Sequence, residues 1–486
     1  TTLSRNINQH DETVRMHVFS QPIKSPLLTN ESIREAVHLW CKNPARATTE
    51  YGHIAEWDTS AVTHMNNLFQ NQHLFNQDLS GWDVSRVVDM SHMFQGAASF
   101  NQELSGWDVS RVTNMSHIFH GARVFNHELS GWDVSRVVDM SHMFQDAASF
   151  NQELSGWDIS NVVCVSCMFQ DARVFNQPLN GWDVSGTRNM RHMFDRAIAF
   201  NQDLSEWDVS NVLDMYNMFG GATAFNQDLN KWEVSEVTDM SLMFRGAKAF
   251  NQDLSGWNVS NVTDMKYMYE GATLFNHDLS RWNVSNVKNM YSMFRGATFF
   301  NHDLSNWHVS KVTNMNDMFY DATYFNQDLS GWDVSNVTSM RYMFNRARVF
   351  KQDLSGWDLS RSVDITGQFR GATALTSTLQ RTMHVSSFFE GVYRDMPREE
   401  RQRAFAGVFS WQRRIASCSS WSITGTCTAP VRPATTRIQV PPSPAAKWCR
   451  VMLSSMWKTS TATSVSFYKN NFCHVDLVDV CALTRS

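Results

Sequence analysis

The stretch FNQDLSGWDVSNVTSMRYMF, from Phe325 to Phe344, is one copy of a sequence that returns every 25 residues. Tryptophan marks each copy and occurs thirteen times at this spacing, from Trp57 to Trp357. Phenylalanine keeps the same spacing from Phe75 to Phe350. A fixed period of this size is typical of a solenoid, in which each repeat buries its apolar side only against its neighbours.

Within one repeat, the apolar residues follow two different spacings. Trp82 and Val84 alternate with polar residues after Leu79, which predicts a short strand like that of a leucine-rich repeat, with tryptophan in a leucine position. The next apolar residues are spaced i, i+3, i+4 and i+7, which predicts a short helix with one apolar face. The residues of that face are Met90, Met93, Phe94 and Ala97.

These patterns predict an α/β fold, a leucine-rich-repeat-like solenoid of about thirteen 25-residue strand–short-helix coils. Strands stacked ~4.8 Å apart would give a rod or arc about 60 Å long. Stacking would place tryptophan on tryptophan and phenylalanine on phenylalanine, so these side chains are assigned to the core and not to a cofactor site.

The chain outside the repeats divides into four segments. Residues 1–29 are expected to be flexible, and residues 30–52 to form an N-terminal capping helix, because Ser32 and Glu35 have capping-box spacing. The repeat solenoid is assigned to residues 53–375. Residues 376–416 are expected to include a C-terminal cap helix, and the Pro/Ser/Thr-rich residues 417–486 a disordered tail.

Charge and cysteine are both unevenly distributed. Residues 376–486 contain 14 Lys and Arg against 6 Asp and Glu, whereas residues 1–375 contain 28 against 41. An acidic body therefore carries a basic tail. The repeats hold only Cys164 and Cys167, which argues against a disulfide framework. No apolar run is long enough to cross a bilayer, so no transmembrane segment is expected.

The repeat text FNQDLSGWDVSNVTDM, followed by MF, resembles the BspA-like surface-protein repeat, a relative of leucine-rich repeats. The similarity covers about residues 30–375. It implies a leucine-rich-repeat-like fold, a cell-surface or extracellular location, and a role in adhesion or protein interaction. It implies no catalytic residues, and the chain shows no signal peptide or membrane anchor of its own.

We call the residues at one position in successive repeats a column. The column directly after the tryptophans holds an acidic residue in most repeats. Strand alternation points these side chains away from the core. One interpretation is local, with each carboxylate accepting backbone N–H groups in an Asx turn. The other is a ligand surface, an acidic strip that binds a cation or a basic partner. The candidate residues are Asp83, Asp108, Asp133, Asp158, Asp183 and Asp208.

A second candidate site is a zinc centre built from His142, Cys164, Cys167 and His192. Thiolate and imidazole are the ligands zinc prefers. The pattern favours a plainer interpretation, in which histidine occupies a variable, exposed helix position, so no metal or cofactor is assigned.

The function that these patterns favour is a non-enzymatic interaction or adhesion scaffold. Its regular face would bind a protein or glycan partner, with no nucleic acid expected and a monomeric chain. The alternative is a calcium- or mineral-binding acidic solenoid that uses the Asp column. An enzyme is disfavoured because nearly every Ser, His and Asp lies in a repeated column, whereas catalysis needs one particular arrangement of residues in a pocket.

Overall fold

The computed structural model describes residues 26–359, 364–375, 438–439, 465–467 and 472–475. Helix α1 spans Asn30–Lys42, helix α2 spans Pro44–Tyr51, and a 3₁₀ turn follows at Ile54–Glu56. From residue 57 to residue 359 the backbone consists of turns, irregular segments and isolated parallel bridges. The strand expected around Trp82–Val84 and the helix expected from Met90 are both absent there.

Backbone hydrogen bonds join each repeat to the next one. Bridges pair residues 25 positions apart, in an unbroken series from His64–Asp89 to Ser339–Asp364. In one repeat, Met90 donates to the carbonyl of Asn114 at 3.0 Å, and Phe94 donates to Ile118 at 2.9 Å. The N–H of His92, between them, also donates to the next repeat, at Ser116, whereas the N–H of Met93 turns back within the repeat to Met90 at 3.2 Å. Along this segment, N–H groups that bond to the next repeat therefore alternate with N–H groups that close a turn within the repeat.

The expected helix is replaced because two residues in each repeat adopt left-handed backbone angles. In one repeat they are His92, with φ of 59°, and Gly96, with φ of 70°. A left-handed residue reverses the local curl of the chain, so an α-helix cannot continue through it. The column of His92 holds His, Asn or Asp in seven of its first thirteen places, including Asn67, and these types tolerate positive φ.

Aromatic side chains stack from one repeat to the next and form the core. The rings of Trp107 and Trp132 are parallel within 4°, with centroids 6.4 Å apart. Phe94 and Phe119 are 5.7 Å apart, and both are fully buried. Tyr269 replaces phenylalanine in this second column, and its buried hydroxyl has no hydrogen-bond partner.

Two columns of side chains make hydrogen bonds to backbone groups of a neighbouring repeat. They are the tryptophan column and the asparagine column, whose residues follow the periodic phenylalanines. The indole N–H of Trp207 donates to the carbonyl of Leu179, in the preceding repeat, at 3.0 Å. The side-chain oxygen of Asn226 accepts the backbone N–H of Asn251 at 2.8 Å and the side-chain amide of Gln252 at 2.9 Å. These bonds recur along the array and fix the register of one repeat on the next.

Helix α1 covers the first repeat. Its apolar face buries Ile33, Ala36, Val37 and Trp40. The side-chain oxygen of Asn30 accepts the backbone N–H of Thr63 at 2.9 Å, which supplies a bond that a preceding repeat provides elsewhere in the array. The capping box joins Thr29 and Ser32, so the pairing of Ser32 with Glu35 expected from the sequence is wrong.

The end of the N-terminal segment contacts the first repeat. Leu28 is buried and donates its backbone N–H to Asp58 at 2.9 Å, so the end of the 1–29 segment is bound to the first repeat. Residues 1–25 lie outside the described part of the chain.

Three strands lie within the tail that was expected to be disordered. They are β1 (Ile438–Gln439), β2 (Val465–Phe467) and β3 (Phe472–Val475), in the antiparallel order β1-β3-β2. These short segments are rich in β-branched and aromatic residues, which favour strands, whereas the surrounding Pro, Ser and Thr dominate the composition. The cap helix predicted within 376–416 lies outside the described residues.

Candidate binding surface

The acidic column after the tryptophans is exposed, and its side chains form Asx turns. In the repeat of Asp83, one carboxylate oxygen accepts the backbone N–H of Ser85 at 3.0 Å and its hydroxyl at 2.7 Å. The corresponding backbone N–H bonds measure 3.0 to 3.1 Å for the other five candidates, which are Asp108, Asp133, Asp158, Asp183 and Asp208. Each candidate therefore has a local structural role.

These hydrogen bonds also lower the pKa of several carboxyls in the column. The hydroxyl and the backbone N–H of Ser110 lower the pKa of Asp108, and the same two groups of Ser185 lower the pKa of Asp183. The pKa of Asp158 is lowered in the same way, although the neighbouring charge of Asp183 acts against it. The column is consequently a strip of stacked negative charges.

A second acidic column, which the sequence analysis did not identify, precedes the tryptophans. Asp78 accepts the backbone N–H of Ser80 at 2.9 Å, and Asp203 accepts that of Ser205 at 2.9 Å. The backbone N–H of the following serine lowers the pKa of both carboxyls. The spacing D-x-S, present in QDLS as well as in WDVS, was the sequence signal for this column.

The proposed zinc ligands are not brought together. Among the described residues, no group of three or more His, Cys, Asp and Glu side chains is placed to hold a metal ion. The sulfur of Cys164 lies 3.2 Å from the hydroxyl of Ser166. Burial raises the pKa of the Cys167 thiol to about 12, with a smaller effect from Asp195, so the metal-binding thiolate is disfavoured.

The other two zinc candidates make hydrogen bonds along the repeat surface. His142 Nδ1 lies 2.6 Å from the side-chain oxygen of Gln145. His192 Nδ1 lies 3.2 Å from a carboxylate oxygen of Asp195 and 2.8 Å from the side-chain nitrogen of Asn217. Both histidines lie at left-handed positions, not on a helix.

His142 belongs to a histidine strip that we define as His92, His117, His120 and His142. The rings of His117 and His142 stack with centroids 4.1 Å apart, and His117 Nδ1 lies 3.2 Å from His120 Nδ1. Burial, followed by the charges of the neighbouring histidines, lowers the pKa of His117 to about 3. The strip is therefore neutral at its centre.

Further along the array, tyrosine and arginine occupy the columns of the histidine strip and two columns beside them. We call these residues the tyrosine–arginine belt. The belt comprises Arg191, Tyr216, Arg245, Tyr267, Tyr291, Arg295, Tyr320, Arg341, Tyr342 and Arg346.

Contacts within the belt join side chains of neighbouring repeats. The guanidinium of Arg191 lies 3.9 Å from the ring centre of Tyr216, and that of Arg295 lies 4.9 Å from Tyr320. Tyr267 and Tyr291 make an edge contact at 4.7 Å. The belt residues come from four neighbouring columns, those of Ser91, His92, Gln95 and Gly96.

The comparisons with known proteins identify a repeat family. The family described as "Mycoplasma protein of unknown function, DUF285" matches residues 42–134, 105–204, 179–282 and 273–382. These overlapping matches cover more than half of the chain, and they confirm the prediction of a repeat protein. No curated protein matches the chain. In the part of the chain that the structure describes, no helix has the length and apolarity needed to cross a membrane.

Proposed function

The chain belongs to the DUF285 family, and from this premise we propose that it is a non-enzymatic interaction or adhesion scaffold. Its outer repeat surface would present a protein- or glycan-binding face at a cell surface. The proposal includes the leucine-rich-repeat-like solenoid and the BspA-like relationship that the repeat text suggests.

One observation carries this proposal. The buried columns hold nearly the same residue in every repeat, as the thirteen tryptophans do, whereas several surface columns change from repeat to repeat. At the position of His92, later repeats place Leu242, Tyr267 and Asp317. A constant core with a varied surface is what a repeat protein needs to bind one partner among many.

The in-register contacts support the solenoid part of the proposal. Every bridge between repeats is parallel and joins residues 25 positions apart. Repeats linked in this way present their surface columns as straight rows, so a partner can contact several repeats at once. Multiple weak contacts of this kind raise affinity without a catalytic or cofactor site.

The alternative, a calcium- or mineral-binding solenoid, depends on the acidic columns. Calcium prefers six to eight oxygen ligands. One oxygen of each candidate Asp already accepts hydrogen bonds from serine, as in Asp83 and Asp133, which leaves the second oxygen for a cation. This arrangement favours the scaffold over the calcium-binding alternative.

The test is recovery of a partner by the full chain. The immobilised chain is incubated with cell-surface proteins and released glycans, with and without calcium, and a heat-unfolded sample serves as the matched control. The scaffold proposal predicts that the folded chain recovers one protein or glycan, which rebinds after purification. No difference between folded and unfolded samples would reject it. Recovery only with calcium, together with heat on calcium titration, would select the alternative.

A further inference from the structure

We propose that the tyrosine–arginine belt is the docking surface for an acidic peptide segment that carries apolar side chains, on a partner protein. The inference rests on the proposed scaffold function and adds to it the place of binding and the chemistry of the partner.

The first argument is the exposure of opposite charges in the belt. Arg245 and Arg295 both bind Glu270, at 2.7 and 3.1 Å. The Arg245 side chain is 55% exposed, whereas that of Glu270 is only 16% exposed. Arginine therefore covers the carboxylate and faces the solvent. The same arrangement holds where Arg196 covers Asp171, which is 15% exposed. In the other belt ion pairs the difference is smaller, with Arg191 41% exposed against 31% for Asp214 and Arg341 47% exposed against 41% for Asp364. The guanidinium is the more exposed partner in each of these pairs, and the cationic excess is greatest around Glu270.

The second argument is the residue types of the belt. Tyrosine and arginine are enriched where protein interfaces gain most of their binding energy. In the belt, arginine also lies over tyrosine rings, as Arg295 and Arg346 do on Tyr320. These contacts hold long side chains in place before binding, which reduces the entropy lost on association.

The third argument is an apolar row in the same repeats. Leu274, Phe299, Tyr324 and Val349 occupy one column of four successive repeats, and each is between 37% and 50% exposed. The rings of Phe299 and Tyr324 stack with centroids 5.4 Å apart. In earlier repeats the same column alternates, because Ser99 and Ser149 separate the exposed Leu74, Val124 and Val174, so no continuous apolar row forms there. An exposed apolar row is typical of an interaction site.

Charge and apolarity together select a peptide as the occupant. A sulfated or carboxylated glycan would match the arginines, but it has no apolar side chains to cover the row from Leu274 to Val349. An acidic peptide with aromatic residues matches both features.

The test measures binding of the full chain to four fluorescent polymers: a random copolymer of glutamate and tyrosine, polyglutamate, polylysine and heparin. The belt variant is R341Q/R346Q, which removes two exposed arginines beside Tyr320 and Tyr342. The matched control is R86Q/R111Q, which removes two exposed arginines from earlier repeats and changes the net charge equally.

We expect the glutamate–tyrosine copolymer to bind more tightly than the other polymers. R341Q/R346Q should weaken its binding by about tenfold or more, and R86Q/R111Q by less than about twofold. Absence of copolymer binding, equal weakening by both variants, or preference for heparin would overturn the peptide assignment.

Two further measurements separate this inference from the proposed function. If the recovered cell-surface partner binds R341Q/R346Q as well as the original chain, the belt assignment is wrong while the scaffold function stands. Sedimentation tests a second copy as the occupant. Self-association that R341Q/R346Q abolishes, and R86Q/R111Q does not, would replace the peptide by another copy of this chain.

Discussion

At the scale of single residues, two left-handed positions in each repeat set the path of the chain. Glycine fills the second position in many repeats, including Gly221, Gly246 and Gly271, and Asp or Asn fills others. Glycine has no Cβ and adopts positive φ at no steric cost. Glycine is therefore favoured at this position because the backbone there has positive φ. Replacing it with a residue that has a Cβ should destabilise the repeat.

The matched pair Gly246→Ala and Gly331→Ala tests this account. Gly246 has φ of 68°, and an added Cβ would lie 3.7 Å from Gly221, so the cost is backbone strain and not a clash. We expect a loss of about 1 kcal/mol in the free energy of unfolding. Gly331 lacks positive φ and has open space around it, so its substitution should be neutral or slightly stabilising. Urea unfolding measures both, and equal effects would contradict the left-handed assignment.

Protonation of the histidine strip should make the protein less stable in acid. The pKa of His117 is about 3 in the folded chain and near 6.5 when exposed. Below pH 6.5 the unfolded chain therefore binds more protons at this residue than the folded chain. The contribution of His117 to the free energy of unfolding is fully present above pH 6.5 and is lost as the pH falls towards 3.

The variant His117→Asn should reduce this decline, because asparagine does not titrate and tolerates the φ of 57° at this position. His308→Asn, at an exposed histidine, is the control and should leave the decline unchanged. The measurement is the urea midpoint at about pH 7.5 and about pH 5. If the original chain, His117→Asn and His308→Asn all show the same pH dependence of stability, His117 is excluded as its source.

At the scale of the element, the repeat shows where sequence patterns succeed and where they fail. The spacing of Met90, Met93, Phe94 and Ala97 correctly identified buried residues, because all four are fully buried. The same spacing predicted the wrong backbone. Four apolar residues at i, i+3, i+4 and i+7 fit a helix, but they also fit a turn whose alternate N–H groups bond to the next repeat.

The information needed to separate these two structures lies between the apolar residues. His92 and Gly96 are of residue types that tolerate positive φ. Positive φ recurs at both positions at intervals of 25 residues. A periodicity analysis counts only apolarity and therefore misses this signal. The acidic candidates are exposed, as their alternation with the buried tryptophan and valine of each repeat predicts.

The asparagine column is the element that holds neighbouring repeats in register, and Asn226→Ala tests it. The substitution leaves the N–H of Asn251 without its acceptor, and the side-chain amide of Gln252 keeps only the backbone carbonyl of residue 226, at 3.1 Å. We expect a loss of about 1–2 kcal/mol in the free energy of unfolding. Asn306→Ala, at an exposed turn residue, should change it by less than about 0.5 kcal/mol. A loss as small for Asn226→Ala would show that the column is not structural.

At the scale of the whole molecule, the account depends on continuous stacking from helix α1 to the last described repeat. Helix α1 supplies the bonds that the first repeat lacks, through Asn30 to Thr63 and through Arg34 to the carbonyl of Asn66 at 2.8 Å. Each repeat then serves as the template for the next one. The sequence period predicted this continuity directly. It could not predict the chemistry of the tyrosine–arginine belt, because the columns of the belt change from repeat to repeat.

The most direct test of in-register stacking is disulfide formation between neighbouring repeats. Thr263 donates its backbone N–H to the carbonyl of Thr238 at 3.0 Å, and both side chains are exposed. A disulfide needs Cα atoms about 4.4–6.8 Å apart, and stacked backbones lie ~4.8 Å apart. The double variant T238C/T263C should therefore form a disulfide on mild oxidation. T263C/T313C, whose positions are two repeats apart, should not form one, because ~10 Å separates them. Peptide mass mapping identifies the linked peptides. Efficient linkage in T263C/T313C, or none in T238C/T263C, would contradict the stacking on which the account depends.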